Sequence, residues 1–450
     1  MPGSKFLIVG LGISGLWTAR WLRKQGADVM VSEMRKKSDV DPVILKELVE
    51  LGVELETGGH RKETFLNADT IIVSPGVPHD MPLIRSASER KIPVMGEMEL
   101  ASRFINTPII AVTGTNGKTT VTTLIGQMLE NAGAKVFVGG NIGTPLTAYA
   151  SGEQEADYLV LEVSSFQLDT IETFSPFISI ILNISPDHLD RYPDFEAYVQ
   201  SKLRIYENQA HGHFLILNHD DRRLSSVHPS AGVSLLRYGK EKKEGRHAFL
   251  SGDRVSASLN GATGQRFSLN RFALPGAHNQ ENLLGAVLTG MIVGIDAAVI
   301  QKTIDAFKGL PHRLEYVGEF RGVRFYNDSK ATNVDAAIKA ISSFDRPLVL
   351  IAGGRHKGAD YAPLVRAGRG RLKNAVFLGE AKKLLAESFR EDIPFSLTGD
   401  MEEAVALAFS MARPGDAVLL APACSSFDMF SDYSQRGDVF RRSVEALIHG

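Results

Sequence analysis

"IIAVTGTNGKTTVTTLIGQML", residues 109–129, runs from an unbroken apolar segment through a glycine turn into a stretch with helical periodicity. Val121, Leu124, Ile125, Met128 and Leu129 fall at i, i+3, i+4, i+7 and i+8, so one helix face is apolar and packs on a sheet. That strand-turn-helix order puts Lys118 at a helix start. There the amides of Gly114–Thr119 can point at phosphate oxygens and the helix dipole favours an anion; Lys118 adds a point charge and Thr119 a hydroxyl for Mg²⁺. The common phosphate-loop pattern carries a glycine five positions before the glycine of its Gly-Lys pair. Here that position is Val112, and the loop is the shorter Gly114-Thr115-Asn116-Gly117-Lys118-Thr119. By composition it is a phosphate cradle, with a tight structural turn as the alternative.

Two neighbouring segments extend the reading. "DYLVLEVSSFQL", 157–168, is an apolar strand ending at Glu162, whose carboxylate can reach Mg²⁺ directly or through water, or sit in a hydrogen-bonded turn. "LNISPDHLDRY", 182–192, is another apolar strand that spills into His188. A lone histidine is more often structural than a ligand. Its place after a strand favours the ligand, because binding groups in open α/β sheets collect beyond the carboxyl ends of strands.

Nearer the N-terminus, "VGLGISG", 9–15, sets Gly10, Gly12 and Gly15 in GxGxxG spacing after a strand, and Glu33 stands near the acidic position of a dinucleotide fingerprint. Such a turn recognises a diphosphate next to a ribose. NAD and UDP both offer one, and the motif does not choose between them; close helix–strand packing would also need these glycines.

Short β-rich runs alternate with helical patterns throughout, which predicts parallel sheets covered by helices. Strands are expected at Lys5–Gly10, Val29–Glu33 and Thr70–Ser74, then at Pro108–Thr113, Tyr158–Val163 and Ile178–Asn183, and finally at Leu348–Gly353, Ala375–Gly379 and Ala417–Ala421. Three domains follow, 1–96, 97–309 and 310–450. "RYGKEKKEGRH", 237–247, reads as a solvated loop.

Composition bounds the function. Fifty Lys+Arg against 52 Asp+Glu leave no long-range field for nucleic acid or an anionic membrane. No apolar run approaches the roughly 18 residues of a membrane helix. The apolar start Phe6–Trp17 is broken by Gly10, Gly12 and Gly15 and lacks a cleavage site, so it is not read as a signal segment. The single cysteine, Cys424, excludes an intrachain disulfide; no suitably spaced base accompanies it, and it reads as packing rather than a nucleophile. A cytoplasmic enzyme is the expectation.

Eight strings stand in fixed order along nearly the whole chain: "TGTNGKTT" (113–120), "GGNIGTP" (139–145), "EVSSFQL" (162–168), "SPDHLDRYP" (185–193), "HNQEN" (278–282), "GLPHRLE" (309–315), "NDSKATN" (327–333) and "GGRHKGAD" (353–360). Together they resemble the Mur ligase family. "GLGISG" (10–15) and "APACSSFDMFSDYSQRG" (421–437) are similar to its D-glutamate-adding branch. The resemblance implies an α/β protein of three domains: Rossmann-like at the N-terminus, a P-loop-type ATPase in the centre, and a Rossmann-like C-terminal domain. It implies ATP-driven amide synthesis for peptidoglycan, through an acyl phosphate formed on UDP-N-acetylmuramoyl-L-alanine and attacked by the amine of D-glutamate. ATP and two Mg²⁺ ions would be needed, in a monomer with no nucleic-acid partner and no membrane insertion.

The resemblance also implies roles. Gly114, Thr115, Asn116, Gly117, Lys118, Thr119 and Thr120 would hold ATP phosphates, with Asn279, Asn282, Arg313, Asp328 and Lys330 completing the nucleotide site. Thr119, Glu162, His188 and a carbamylated Lys202 would serve the metals. On its own, Lys202 in "SKLRIYEN" would read as a solvated helix lysine. Ile13, Ser14, Glu33, Arg35 and Gly76 would surround UDP, with Asn141 near the reacting end. Thr332, Lys357, Ser426, Phe427 and Tyr433 would surround D-glutamate, and Lys118, His188, Lys202 and Asn141 would form the catalytic set. In the family's D-glutamate pocket a Phe is a common alternative to Tyr433; at the uridine end, the family's acidic residue is followed by Thr-Arg, where this chain has Glu33-Met34-Arg35. Two other classes remain: a nicotinamide oxidoreductase, which leaves the Lys118 loop idle, and a nucleotide-driven switch, which needs no acidic-amino-acid pocket.

Overall fold

The computed structural model describes residues 1–259, 264–274 and 276–449. Its strands form three sheets in three successive stretches of chain. The first has the order Glu54–Thr57, Asp28–Glu33, Lys5–Val9, Thr70–Val73, Val94–Gly96, all parallel. This is the Rossmann strand order without its sixth strand, with the glycine turn after the central strand.

The second sheet runs Gln265–Ser268, Arg254–Ala257, Ala248–Ser251, Ser234–Gly239, Phe214–Asn218, Ile178–Ile181, Ile109–Thr113, Tyr158–Glu162, Val136–Gly140. Its pairings are parallel except for the two made by Arg254–Ala257, which alone runs against the rest. Ile109–Thr113 is buried on both faces because alternate residues enter opposite cores. Ile110 and Val112 pack with the helices Lys118–Asn131 and Ala277–Ile292, whereas Ile109 and Ala111 pack with Leu161, Leu168 and Tyr198. All five residues of the expected helix stripe, Val121 to Leu129, are buried in the first of these cores.

The third sheet has the order Glu315–Phe320, Val323–Asn327, Ala417–Leu420, Leu348–Gly353, Leu372–Leu378, Phe395–Leu397, with only the first strand antiparallel. The protein therefore has the three-domain α/β architecture expected of it.

The nine strands named from the sequence are all interior; the edge strands were missed, and so were the interior Phe214–Asn218, Ser234–Gly239 and Val323–Asn327. Glu54–Thr57 and Phe395–Leu397 are short and polar, and the antiparallel strands between residues 248 and 268 face solvent for much of their length. The loop expected at 237–247 needs correction: Arg237–Gly239 ends the strand Ser234–Gly239, and the Arg246 side chain is buried against Asp220. Among the described residues no helix is long and apolar enough to cross a membrane.

Candidate active site

In the second and third sheets, the segments that follow strand carboxyl ends meet in one cleft of about 440 Å³. At its base is the phosphate turn. Gly114 and Gly117 have φ of +147° and +91°, which side-chain-bearing residues rarely adopt. A Cβ on Gly117 would lie 2.5 Å from Asn282 Oδ1, so this glycine lets the helix Ala277–Ile292 close over the turn. Lys118 Nζ donates to the carbonyls of Gly114 and Thr115, both at 3.0 Å. Burial pushes its pKa down against the opposing pull of Glu162 and Asp187.

Glu162 gathers donors from three segments. Thr119 Oγ1 donates to its Oε2 (2.7 Å) and Asn141 Nδ2 to its Oε1 (2.9 Å), while Lys330 Nζ donates to Thr119 Oγ1 (2.6 Å). Burial works against its charge, but the ammonium groups of Lys118 and Lys330 hold the carboxyl below the usual carboxylate range. Lys330 itself is lowered to about 8 by burial and by Arg313. Its ammonium also donates to Tyr433 Oη (3.2 Å) and lies 4.7 Å above that ring.

His188 follows the strand Ile178–Ile181 with φ of +55°, its ring edge-on to Phe166 at 4.8 Å. Burial lowers its pKa to about 4 in spite of Asp187, so at neutral pH the imidazole is uncharged. Asp187 is held below its ordinary range; burial opposes this, and Lys357 (3.6 Å), His188 and Asn333 (Nδ2 to Oδ2, 3.0 Å) outweigh it.

Lys202, near the end of the helix Phe195–Leu203, is 2% exposed. Its Nζ lies 4.8 Å over the Tyr198 ring with no ion-pair partner among the described residues, and burial and then the Lys118 charge push its pKa well down. The structure thus overturns the plain reading of Lys202 as a solvated helix lysine.

From the third block, Arg313, Asp328, Lys330, Thr332, Lys357 and Tyr433 line the cleft. Burial raises Asp328 to about 6, with Arg313 opposing. The other predicted residues on its walls are Thr115, Asn116, Gly117, Lys118, Thr119, Asn141, Glu162, His188 and Asn282. Gly114, Thr120, Lys202 and Asn279 are not on the surface of the cleft; Thr120, Lys202 and Asn279 are buried. Ser426 is buried and Phe427 is 62% exposed. Backbone hydrogen bonds between Arg355 and Ser425 set their loop beside the one carrying Lys357. Cys424 is buried, in hydrogen-bond contact with Tyr361 Oη (3.1 Å), and burial pushes its thiol up to about 11, so it packs and does not attack.

Ile13, Ser14, Glu33, Arg35 and Gly76 are not among the cleft-lining residues. Glu33 is fully engaged: Oε2 accepts from Leu11 N (2.7 Å), and Oε1 from Arg35 N (2.9 Å) and Nε (3.1 Å). Arg191 Nη1 donates to Gly76 O (3.2 Å), tying this part of the chain to the segment after His188.

Sequence reasoning passed over Asn183, Asp187, His278, Glu281, Asn333 and Asp335. Asn183 and Asp187 follow the same strand as His188, so the strand-end rule could have found them. Asn333 and Asp335 reach the phosphate turn from more than two hundred residues away and carry no local signal.

The donors fit Mg²⁺. No group of three His, Cys, Asp or Glu stands together among the described residues. Mg²⁺ commonly takes one or two carboxylates and draws its other oxygens from substrate phosphate and water. A buried, ionised Glu162 2.7 Å from the Thr119 hydroxyl, beside a phosphate turn, is such a site.

Family models match along the length of the chain: the Mur ligase MurD-like N-terminal domain at residues 4–96, the Mur ligase middle domain at 112–290 and the Mur ligase glutamate ligase domain at 312–424. The chain is 44% identical over 446 residues to a UDP-N-acetylmuramoylalanine--D-glutamate ligase of Desulfosudis oleivorans, covering 99% of this chain and 97% of that one. It is 41% identical over 453 residues to a protein of the same description from Thermoanaerobacter pseudethanolicus, covering 99% of each. Among solved structures, a pseudomurein peptide ligase type C from Methanothermus fervidus superposes with a TM-score of 0.62 at 20% identity, over 99% of this chain and 100% of that one. A UDP-N-acetylmuramate-alanine ligase from Thermotoga maritima gives 0.61 at 19%, over 98% and 99%. At such identity these two structures speak for the fold alone.

Proposed function

The chain belongs to the Mur ligase family, and we propose that it joins D-glutamate to UDP-N-acetylmuramoyl-L-alanine in an ATP-driven step of peptidoglycan synthesis, as a monomer in the cytoplasm. The observation that carries this reading is the single cleft in which the Lys118 turn faces Lys330 and Lys357 of another domain. An acyl phosphate must be made and consumed without meeting water, and a site shared between domains allows that.

The free carboxylate of the UDP-linked substrate attacks the γ-phosphorus of ATP, the bond to the β-phosphate oxygen breaks, and ADP leaves. The D-glutamate amine, after losing a proton, attacks the acyl carbon; the tetrahedral adduct collapses with loss of phosphate and an amide remains. The first step brings anions together, so positive charge at the transferring group is the main requirement. Lys118, on the Gly114–Thr120 cradle, supplies it, with Lys330 and Arg313 from the third domain, Arg313 toward the γ-phosphate. Asn282, on the cleft wall, contacts the nucleotide, with Asn279 buried one helical turn before it, and Asp328 contacts its ribose.

Thr119 and Glu162 would hold one Mg²⁺, and His188 with a carbamylated Lys202 a second. When bound, Mg²⁺ neutralises phosphate oxygens during transfer. A neutral imidazole is a competent ligand. Burial lowers the Lys202 pKa and so favours the uncharged amine, the form that adds CO₂ with loss of a proton; the carbamate would then be an anionic oxygen donor. Asn141 would orient the acceptor through its bond to Glu162. The UDP moiety would lie at Ile13, Ser14, Arg35 and Gly76, with Glu33 shaping the turn. Two carboxylates on D-glutamate call for a cationic pocket rich in donors: Lys357, Thr332, Ser426, Tyr433 and the backbone beside Phe427.

Phosphate release from ATP tests the reading. It should require UDP-N-acetylmuramoyl-L-alanine and D-glutamate together, with D-glutamate preferred over a panel of other amino acids. Release that needs neither, or ligation of a different amino acid, would refute it.

A further inference from the structure

One residue of the third domain reaches into the phosphate turn. Asp335 lies in the first turn of the helix Val334–Ser342, and its Oδ2 accepts from Asn116 Nδ2 (2.7 Å) and from Ser185 Oγ (2.9 Å), with Lys339 Nζ at 2.9 Å. Its neighbour Asn333 caps that helix through Oδ1 on Ala336 N (2.8 Å), and its Nδ2 donates to Asp187 Oδ2 (3.0 Å) and approaches Asn116 Oδ1 (3.4 Å). Asn116 is gripped from the other side by its own domain. Its N–H donates to Asn183 Oδ1 and its carbonyl accepts from Asn183 Nδ2, each at 2.9 Å. The backbone of the turn is thus fixed within the central domain, and its side chain by the third.

We propose that Asp335 is a positioning residue that sets the phosphate turn through Asn116, so that docking of the third domain and the final shape of the ATP cradle are one event. A charged acceptor shared by two donors is stronger than a neutral one and fixes both donors in place. Two middle-domain segments, the turn at Asn116 and the strand exit at Ser185, are joined by one third-domain oxygen. Nothing on the surface of the turn itself would reveal this coupling.

The inference rests on residues 114–120 being the ATP phosphate site, so its test has one arm that does not involve ATP. In nucleotide-free protein, amide hydrogen exchange over residues 114–118 should quicken about fivefold or more in Asp335→Ala, while exchange in the helix core 122–129 stays at the wild-type rate. In the ligase assay, KM for ATP should rise about tenfold with kcat changed less than about twofold, and Asn116→Ala/Asp335→Ala should be no worse than the worse single variant. Asp335→Asn, which keeps one acceptor oxygen, should fall between and carries the same test if the alanine variant does not fold. Wild-type exchange in the turn, or multiplicative effects in the double variant, would overturn the proposal. Quickened exchange with an unchanged KM for ATP would instead overturn the phosphate assignment beneath it.

Discussion

The molecule has two glycine turns at the start of helices, and they use glycine for different purposes. In the first, Gly10 has φ of +93°, and a Cβ on Gly15 would lie 2.2 Å from the Gly10 carbonyl, so glycine there lets a helix backbone approach a strand end. Its acid, Glu33, is spent holding the turn's own amide at Leu11. In the second, Gly117 gives way to the Asn282 side chain, and the acid, Glu162, faces a hydroxyl, an amide and two ammonium groups from three segments of chain. The first turn is braced from within its own domain. The second, the proposed ATP cradle, is assembled from without.

Four variants would break or sharpen that contrast. Lys118→Ala should cut kcat/KM by about 10²- to 10³-fold, the range for losing one main electrostatic stabiliser, with thermal stability little changed. Near-normal turnover would place the charge requirement elsewhere.

Glu97→Gln probes the joint between the two regions. Glu97 follows the last strand of the first sheet and accepts from Thr147 N (2.6 Å) at the start of a helix in the second domain. Burial raises its carboxyl to about 7, with the amides of Thr147 and Leu146 opposing. The folded state therefore binds this proton more tightly than the unfolded chain, and stability falls as pH rises from about 4.5 to about 7, then levels off. Relative to wild type, the glutamine variant should gain about 3 kcal/mol across that interval, read from urea unfolding at pH 4.5 and pH 8. Parallel pH profiles would disprove the burial effect.

Gly15→Ala should destabilise the protein by about 2 kcal/mol, because its clash is with backbone, while KM for ATP stays unchanged. Gly117→Ala should do the reverse: a positive φ costs a side-chain-bearing residue about 1–2 kcal/mol, read mainly as a several-fold rise in KM for ATP. If both glycine variants lost stability equally, the two turns would be one device used twice.

The sequence disclosed what is local. Lys118, Thr119 and Glu162 were legible because a strand, a turn and a helix periodicity are each written within about twenty residues. Nine interior strands were legible because burial on both faces makes them apolar, although the equally buried Phe214–Asn218 was missed. Lys202 was not, since the sequence of its helix does not show that packing leaves this lysine only 2% exposed, and only the family resemblance singled it out. Arg246 looked like part of a solvated charge run for the same reason: its partner, Asp220, is supplied by another strand end. Asp335 lies furthest from any sequence signal, because a surface-type acid in a helix's first turn looks the same whether or not another domain docks on it.

The order of strands in the third sheet also bears on how the protein comes into being. Ala417–Leu420 lies in its middle, between Val323–Asn327 and Leu348–Gly353. The first sheet needs only residues 5–96 and the second only 109–268, so a chain made from its N-terminus can complete both while synthesis continues. The third must wait, its two halves unjoined, until residues 417–420 have been made, and Lys330 and Lys357 stand on opposite sides of that gap. Nascent chains stopped before Ala417 would carry a phosphate turn with no partner to close on it, exposing apolar strand edges to chaperones or to one another.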